Sequence, residues 1–106
     1  MHLTLQQLRL FESVARNSSF TRAAEELHLT QPAVSIQIKR LEEQVGMPLF
    51  EQVGKKIFPT AVGEELALAS KDILDRIEAL KNTVDNLQGC VKGPLKVSVV
   101  TTAKYF

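Results

Sequence analysis

Alternate steps of four and three residues through the second half of the sequence land on Leu66, Ser70, Ile73, Ile77, Leu80, Val84 and Leu87, of which six are apolar. A repeat of about 3.5 residues is the seam of a helix that lies along another helix. The positions between are rich in Glu, Asp, Lys and Asn, which face water. The spacing predicts a helix from about Ala61 to Leu87, roughly 40 Å long at ~1.5 Å per residue. A helix of that length overhangs a domain of about 60 residues. An unpartnered seam would be a long apolar stripe, which soluble monomers avoid. The expectation is therefore a homodimer held by residues 61–88 through Leu66, Ile73, Ile77, Leu80, Val84 and Leu87, with Ser70 a weak spot that lets the helices approach closely. Gly89 and Gly93-Pro94 are expected to end the helix. The tail Leu95–Val100 alternates like the first strand of a sheet with no later strand to pair with it, so residues 89–106 read as a hinge and the start of a further domain.

Residues 1–60 read as a separate small domain. Leu5, Leu8, Phe11, Val14 and Ala15 have helical spacing, with Arg9, Glu12 and Arg16 on the other side. Asn17-Ser18-Ser19 supplies turn chemistry, and Ser19 or Thr21 is placed to cap a second helix over Phe20–Leu27. Its apolar face is Phe20, Ala23, Ala24 and Leu27, and the paired alanines admit a close neighbour. After a short turn, Thr30 caps a third helix and Pro32 falls in its first turn, where a missing N–H costs nothing. Val34, Ile38, Leu41 and Val45 form its buried stripe, and Gly46 ends it. Leu49-Phe50, a turn at Val53-Gly54-Lys55-Lys56, and Ile57-Phe58 predict a two-stranded hairpin with a basic tip.

Composition excludes more than it assigns. No apolar run approaches the roughly 18 residues of a membrane span. The start, Met1–Gln7, lacks the basic stretch and apolar core of a signal peptide, which points to the cytoplasm and no membrane partner. A single cysteine, Cys90, cannot form an internal disulfide. His2 and His28 lie far apart with no Cys or carboxylate at ligand spacing, so neither a metal site nor a cofactor is expected. The acidic residues between 64 and 85 have no His or Ser partner, and no catalytic constellation is present. The net charge is only +1. A nucleic-acid reading must therefore rest on where the basic residues sit.

Helix, short turn and helix is the arrangement that lays a second helix in the major groove of DNA, a channel about 12 Å wide. The third helix has the two faces this requires. Gln31, Ser35 and Lys39 lie opposite its apolar stripe, flanked by Pro32, Ala33, Ile36 and Gln37. Gln31 and Gln37 suit adenine edges, Ser35 a base or phosphate, and Ala33 or Ile36 a thymine methyl. Lys39 and Arg40 are placed for phosphates. Lys55 and Lys56 at the hairpin tip suit the backbone or the minor groove, although alone they would be an ordinary polar turn. Two rival readings come from other classes. One is a protein-interaction module on a coiled-coil tether, which should expose apolar anchors where this chain shows Gln31, Ser35 and Lys39. The other is a piece of an enzyme, for which no nucleotide loop, nucleophile pair or metal motif appears.

The stretch Ser19–Leu27, then Thr30–Ser35, Ile38, Leu41-Glu42, Gly46, Leu49-Phe50 and Thr60, resembles the LysR-type transcriptional regulators. The resemblance is dense from residue 3 to about 63 and continues as pattern to Leu87. It implies a mainly α fold, a winged helix-turn-helix with a small β-hairpin wing, followed by a long dimerising linker helix. It implies operator DNA as partner, antiparallel pairing of linker helices, and a tetramer for the full-length protein. It also implies a missing C-terminal domain that senses a small-molecule effector. By position, Gln31, Pro32, Ala33, Ser35 and Ile36 match this family's base-reading residues and Lys55 its wing residue at the minor groove, with Thr30 at the helix start also expected at the DNA. Gln52 and Ile36 stand where relatives often have arginine, and Pro59 where they often have leucine. The string Phe50–Lys56 is most similar to the subgroup that controls carbon dioxide fixation operons.

Overall fold

A computed structural model describes residues 2–91. The elements in chain order are α1 (Leu5–Asn17), α2 (Phe20–Leu27), α3 (Gln31–Val45), β1 (Phe50–Val53), β2 (Lys56–Pro59) and α4 (Ala61–Val91). The chain divides into two compact units after Leu74. The first holds α1 to α3, the hairpin and the start of α4; the second holds the rest of α4.

The helix starts are set by side-chain oxygens that satisfy the free amides of the first turn. Ser19 accepts from the Arg22 amide and Thr30 from the Ala33 amide, as the sequence predicts. Thr4 does the same for α1 in a reciprocal arrangement, accepting from the Gln7 amide while the Gln7 side chain accepts from the Thr4 amide. Thr60 starts α4 in a third way. Its hydroxyl accepts from the Gly63 amide at 3.1 Å and donates to the Pro48 carbonyl at 2.8 Å, so one side chain ties the helix to the segment before β1.

The turn between α2 and α3 is closed by His28 in the left-handed region, with the Leu29 amide donating to the Ala24 carbonyl at 2.8 Å. Gly46 ends α3 at φ +82°, as expected of a glycine there. The hairpin pairs Val53 with Lys56 across Gly54-Lys55. Gly54 takes φ +65° at the first central position, the sign of a type II′ turn, which suits strand twist.

The core of the first unit is Leu10, Phe11, Val14, Ala23, Ala24, Val34, Ile38, Leu41 and Leu49. The helical periodicity marks most of each packing face, but in α1 Leu5 is 47% exposed, whereas Leu10, outside the expected stripe, is buried in the core. Phe50 adds what that periodicity leaves out, since its ring lies 5.1 Å from Phe11 and 6.1 Å from Phe20. Such tilted and edge contacts lock the hairpin onto the helices.

The start of α4 also belongs to this core. Val62, Leu66 and Ala67 pack against it, and Gly63 is buried so close to the residue before β1 that a Cβ there would lie 2.1 Å from the Leu49 carbonyl oxygen. Ser70 is fully buried, and its hydroxyl has no partner among the described residues. Within one chain, then, Leu66 and Ser70 are covered by the first unit, whereas Ile73, Leu80, Val84 and Leu87 are exposed, Leu80 at 61%. Ile77 is half-buried.

One boundary differs from expectation. Gly89 does not stop α4, which runs through it to Val91. Glycine in a helix costs only about 1 kcal/mol relative to alanine, which one residue's hydrogen bonding and its neighbours can offset. The expected stop at Gly93-Pro94, the strand at Leu95–Val100 and the Cys90 side chain lie outside the described residues. Among the described residues, no helix is long and apolar enough to cross a membrane.

Candidate nucleic-acid interface

The positions opposite the buried stripe of α3 form two parallel rows, each spaced four residues apart and hence aligned along the helix. The first row is Gln31, Ser35 and Lys39. The second is Pro32, Ile36 and Arg40. Gln31, Pro32, Ile36, Lys39 and Arg40 are exposed, and Ala33, Ser35 and Gln37 are half-buried. The Gln31 side chain is oriented within this face, since its Nε2 donates to Ser35 Oγ at 2.8 Å. One amide N–H and the carbonyl oxygen stay available, which is the donor and acceptor pair that an adenine edge accepts.

The hairpin brings a second group of residues to the same place. Gln31 and Ser35 of α3 share a cleft of about 410 Å³ with Gln52 and Lys55 of the hairpin. Ser18, Ser19 and Thr21, around the start of α2, form its far wall, and Phe20 and Ile57 also line it. The Gln52 side chain donates to the Gly54 carbonyl at 3.3 Å, bracing the turn that presents Lys55. Lys55 and Lys56 separate in role here. Lys55 sits at the turn and lines the cleft, while Lys56 begins β2 on the side that also exposes Phe58. Lys39 lies on another surface, with Glu42, Glu43 and Met47. Gln37 and Arg40 do not line the cleft.

In the sequence Gln52 stands out only as a departure from the family pattern, and Ser18, Ser19 and Thr21 only as turn and capping residues; none is marked there as lining a site. They reach the cleft only because three elements converge, and no spacing along one element encodes that.

The charges of the site are uncommitted. Among the described residues, Lys39, Arg40, Lys55 and Lys56 have no ion-pair partner, in contrast with Arg16. Arg16 bonds Glu12 at 2.9 Å and Glu26 at 2.6 Å, and Ser13, buried in α1, donates to the same Glu26 carboxylate. The Arg16 guanidinium, with help from Ser13, pushes the Glu26 carboxyl down to about 2, and the two carboxylates push Arg16 up. This cluster joins α1 to α2; Lys55 is the cation among the residues that line the cleft. Among the described residues, no group of three or more His, Cys, Asp or Glu could hold a metal.

Residues 5–64 match the family described as bacterial regulatory helix-turn-helix proteins, lysR family. The chain belongs to the LysR family. Its fold is the winged helix-turn-helix of LysR regulators. It is 58% identical over 105 residues to a RuBisCO operon transcriptional regulator of Acidithiobacillus ferrooxidans, covering 99% of this chain and 34% of that protein. It is 48% identical over 103 residues to the transcriptional activator CmpR of a Synechocystis species, covering 97% of this chain and 34% of that one. This LysR chain thus spans about a third of the length of the curated relatives it matches. Among solved structures, it is similar to the BenM DBD complex with benA site 1 DNA, with TM-score 0.76 and 29% identity over 81% of this chain and 97% of that one. It is also similar to Vibrio fischeri DarR in complex with DNA, with TM-score 0.74 and 30% identity over 84% of this chain and 30% of that one.

Proposed function

We propose that this chain is the DNA-binding part of a LysR-type transcription regulator that acts in the cytoplasm on an interrupted palindrome. In this reading α3 enters the major groove, where Gln31, Ala33 and Ser35 meet base edges. Pro32 and Thr30 lie at its entry, and Lys39, Arg40 and Lys56 hold phosphates. Lys55 at the wing tip approaches the minor groove. Two copies join through the exposed apolar side chains of α4, which fixes the separation of the two reading helices. The observation that carries the reading is the shared cleft. Gln31 and Ser35, the base-edge chemistry, and Lys55, the phosphate and minor-groove chemistry, face one space, and among the described residues no acid pairs with the lysine.

The names of the relatives extend the proposal. RuBisCO operon regulators are among them, and carbon dioxide fixation operons are the targets we assign to this chain. Because the chain spans about a third of its relatives' length, this reading gives the full-length regulator a separate effector-sensing domain and a tetrameric assembly.

The test is binding of the 106-residue chain to duplex DNA across a salt series. Two copies that neutralise several phosphates give a log–log slope of several units, since each contact contributes about −0.9. A flat slope between low and physiological salt overturns the proposal.

A further inference from the structure

We propose that the outward face of the β1–β2 hairpin is a contact surface for a second copy of this chain bound at a neighbouring site on the same DNA. The inference rests on the DNA-binding reading and goes beyond it, since the surface belongs neither to α3 nor to the seam of α4.

Residues paired across an antiparallel ladder share a face. The register pairs Glu51 with Phe58 and Val53 with Lys56, so these four side chains stand on one face of the hairpin. The opposite face carries Phe50 and Ile57, which pack against the core. The outward face is left open. All four of its residues are exposed, Val53 at 62% and Phe58 at 44%. Phenylalanine is enriched where proteins meet each other, and here it does nothing for the fold. Among the described residues, Glu51 and Lys56 have no ion-pair partner.

The arrangement of the four identifies the partner. Val53 and Phe58 lie on one diagonal of the face, and Glu51 and Lys56 on the other. A two-fold axis along the apolar diagonal sets Val53 against Val53 and Phe58 against Phe58 of the other copy. The same axis sets each Glu51 against the other copy's Lys56. The face is thus complementary to itself in both polarity and charge, which an isologous contact requires. The ammonium of Lys56 has three donors, so it can serve a phosphate and the neighbour's Glu51 together.

Size decides when the contact forms. A hairpin face of this size falls well short of the about 20–30 residues per side of a stable interface, so free copies do not associate through it. Copies attached to one duplex need no such area, because attachment raises their effective concentration to the order of millimolar. The contact therefore shows as cooperativity between neighbouring sites.

The experiment uses the 106-residue chain. A preferred palindrome is first selected from random duplex DNA. Duplexes then carry one or two copies of it, with the spacer lengthened one base pair at a time through a full helical turn. For the wild-type chain, a filled first site should tighten binding at the second about tenfold at one spacing and not at all half a turn away. Phe58→Thr, which keeps a strand-forming residue, and Glu51→Lys should each bring that factor down to about one. Glu51→Lys combined with Lys56→Glu exchanges the charged corners and should restore it. The factor is a ratio, so a changed affinity for a single palindrome cancels from it. An unchanged melting temperature verifies that these exposed substitutions keep the fold. Cooperativity absent from the wild-type chain at every spacing, or kept in both single variants, overturns this inference alone. So does a loss for Phe58→Thr that is as large on one palindrome as on two, which places the face against the DNA instead. A wild-type chain with no preference for any duplex sequence overturns it together with the DNA-binding reading.

Discussion

Arg16 Nη2 lies 2.6 Å from Glu26 Oε2 and ties the end of α1 to the solvent side of α2. Ala23 and Ala24 pack α2 into the core beside Phe11 and Val14, and the Arg16–Glu26–Ser13 cluster adds a polar link between the same two helices at their edge. Asn17 adds to it by donating to the Ser13 carbonyl at 2.9 Å.

The cluster makes stability depend on acid. Glu26 has its carboxyl lowered from 4.5 to about 2 by Arg16 and Ser13. A group lowered in the folded state stabilises fully above its unfolded value and loses that contribution as pH falls through the folded one. Between about pH 5 and pH 2 the wild-type chain should therefore lose stability that a Glu26→Gln variant does not have to lose. Glu26 is 39% exposed, so the difference between the two chains at neutral pH is about 1 kcal/mol or less and shrinks in salt. Denaturant melts of both chains across that range check it. A difference that stays constant with pH contradicts the assignment.

Two glycines of α4 should respond to alanine in opposite directions. At Gly63 the new Cβ meets the Leu49 carbonyl oxygen at 2.1 Å, a backbone atom that itself accepts from the Thr60 amide. Gly63→Ala should destabilise by about 1–3 kcal/mol, read as a lower denaturant midpoint. At Gly89 nothing lies within 4 Å. Gly89→Ala should leave stability unchanged or raise it by about 0.5–1 kcal/mol. Equal effects at both positions would contradict the close approach of α4 to the Leu49 carbonyl.

These two positions mark how far the sequence could be read. The helices, their caps at Ser19 and Thr30, the stop at Gly46 and the hairpin around Gly54 are all local signals, and each is legible. Gly89 carries the same letter as Gly46, yet only Gly46 adopts a positive φ that requires it. Gly89 has nothing near it and simply continues the helix, whereas the demand for glycine at Gly63 is set by a neighbour in space, the Leu49 carbonyl. The same holds for Arg16, which reads as one more solvated charge until α2 brings Glu26 beside it. In the site, the α3 residues follow from periodicity, whereas Gln52 and Ser18 become members only through the convergence of the hairpin with α2. Leu66 and Ser70 share the heptad pattern of Leu80 and Val84, but their own domain covers them.

The exposed part of that pattern leads to a prediction on assembly. Leu80 is 61% exposed in one chain, so a glutamate there costs the isolated fold little. In a dimer paired along α4, Leu80→Glu or Ile77→Glu places like charges in an apolar seam. Sedimentation should show a dimer for the wild-type chain and a monomer for either variant. Binding to a palindrome should fall much more than binding to a single half-site. A wild-type monomer at tens of micromolar contradicts pairing through α4.

In the proposed function the cleft between α3 and the hairpin tip meets DNA, with Gln31 at the bases and Lys55 on the backbone or in the minor groove. Its most direct test is the equilibrium affinity of Gln31→Ala and Lys55→Ala for the selected duplex and for random duplex. Gln31→Ala should lose about 1–3 kcal/mol on the selected duplex and little on random DNA. Lys55→Ala should lose affinity on both. Equal losses on the two duplexes for Gln31→Ala, or none for either variant, would contradict the account.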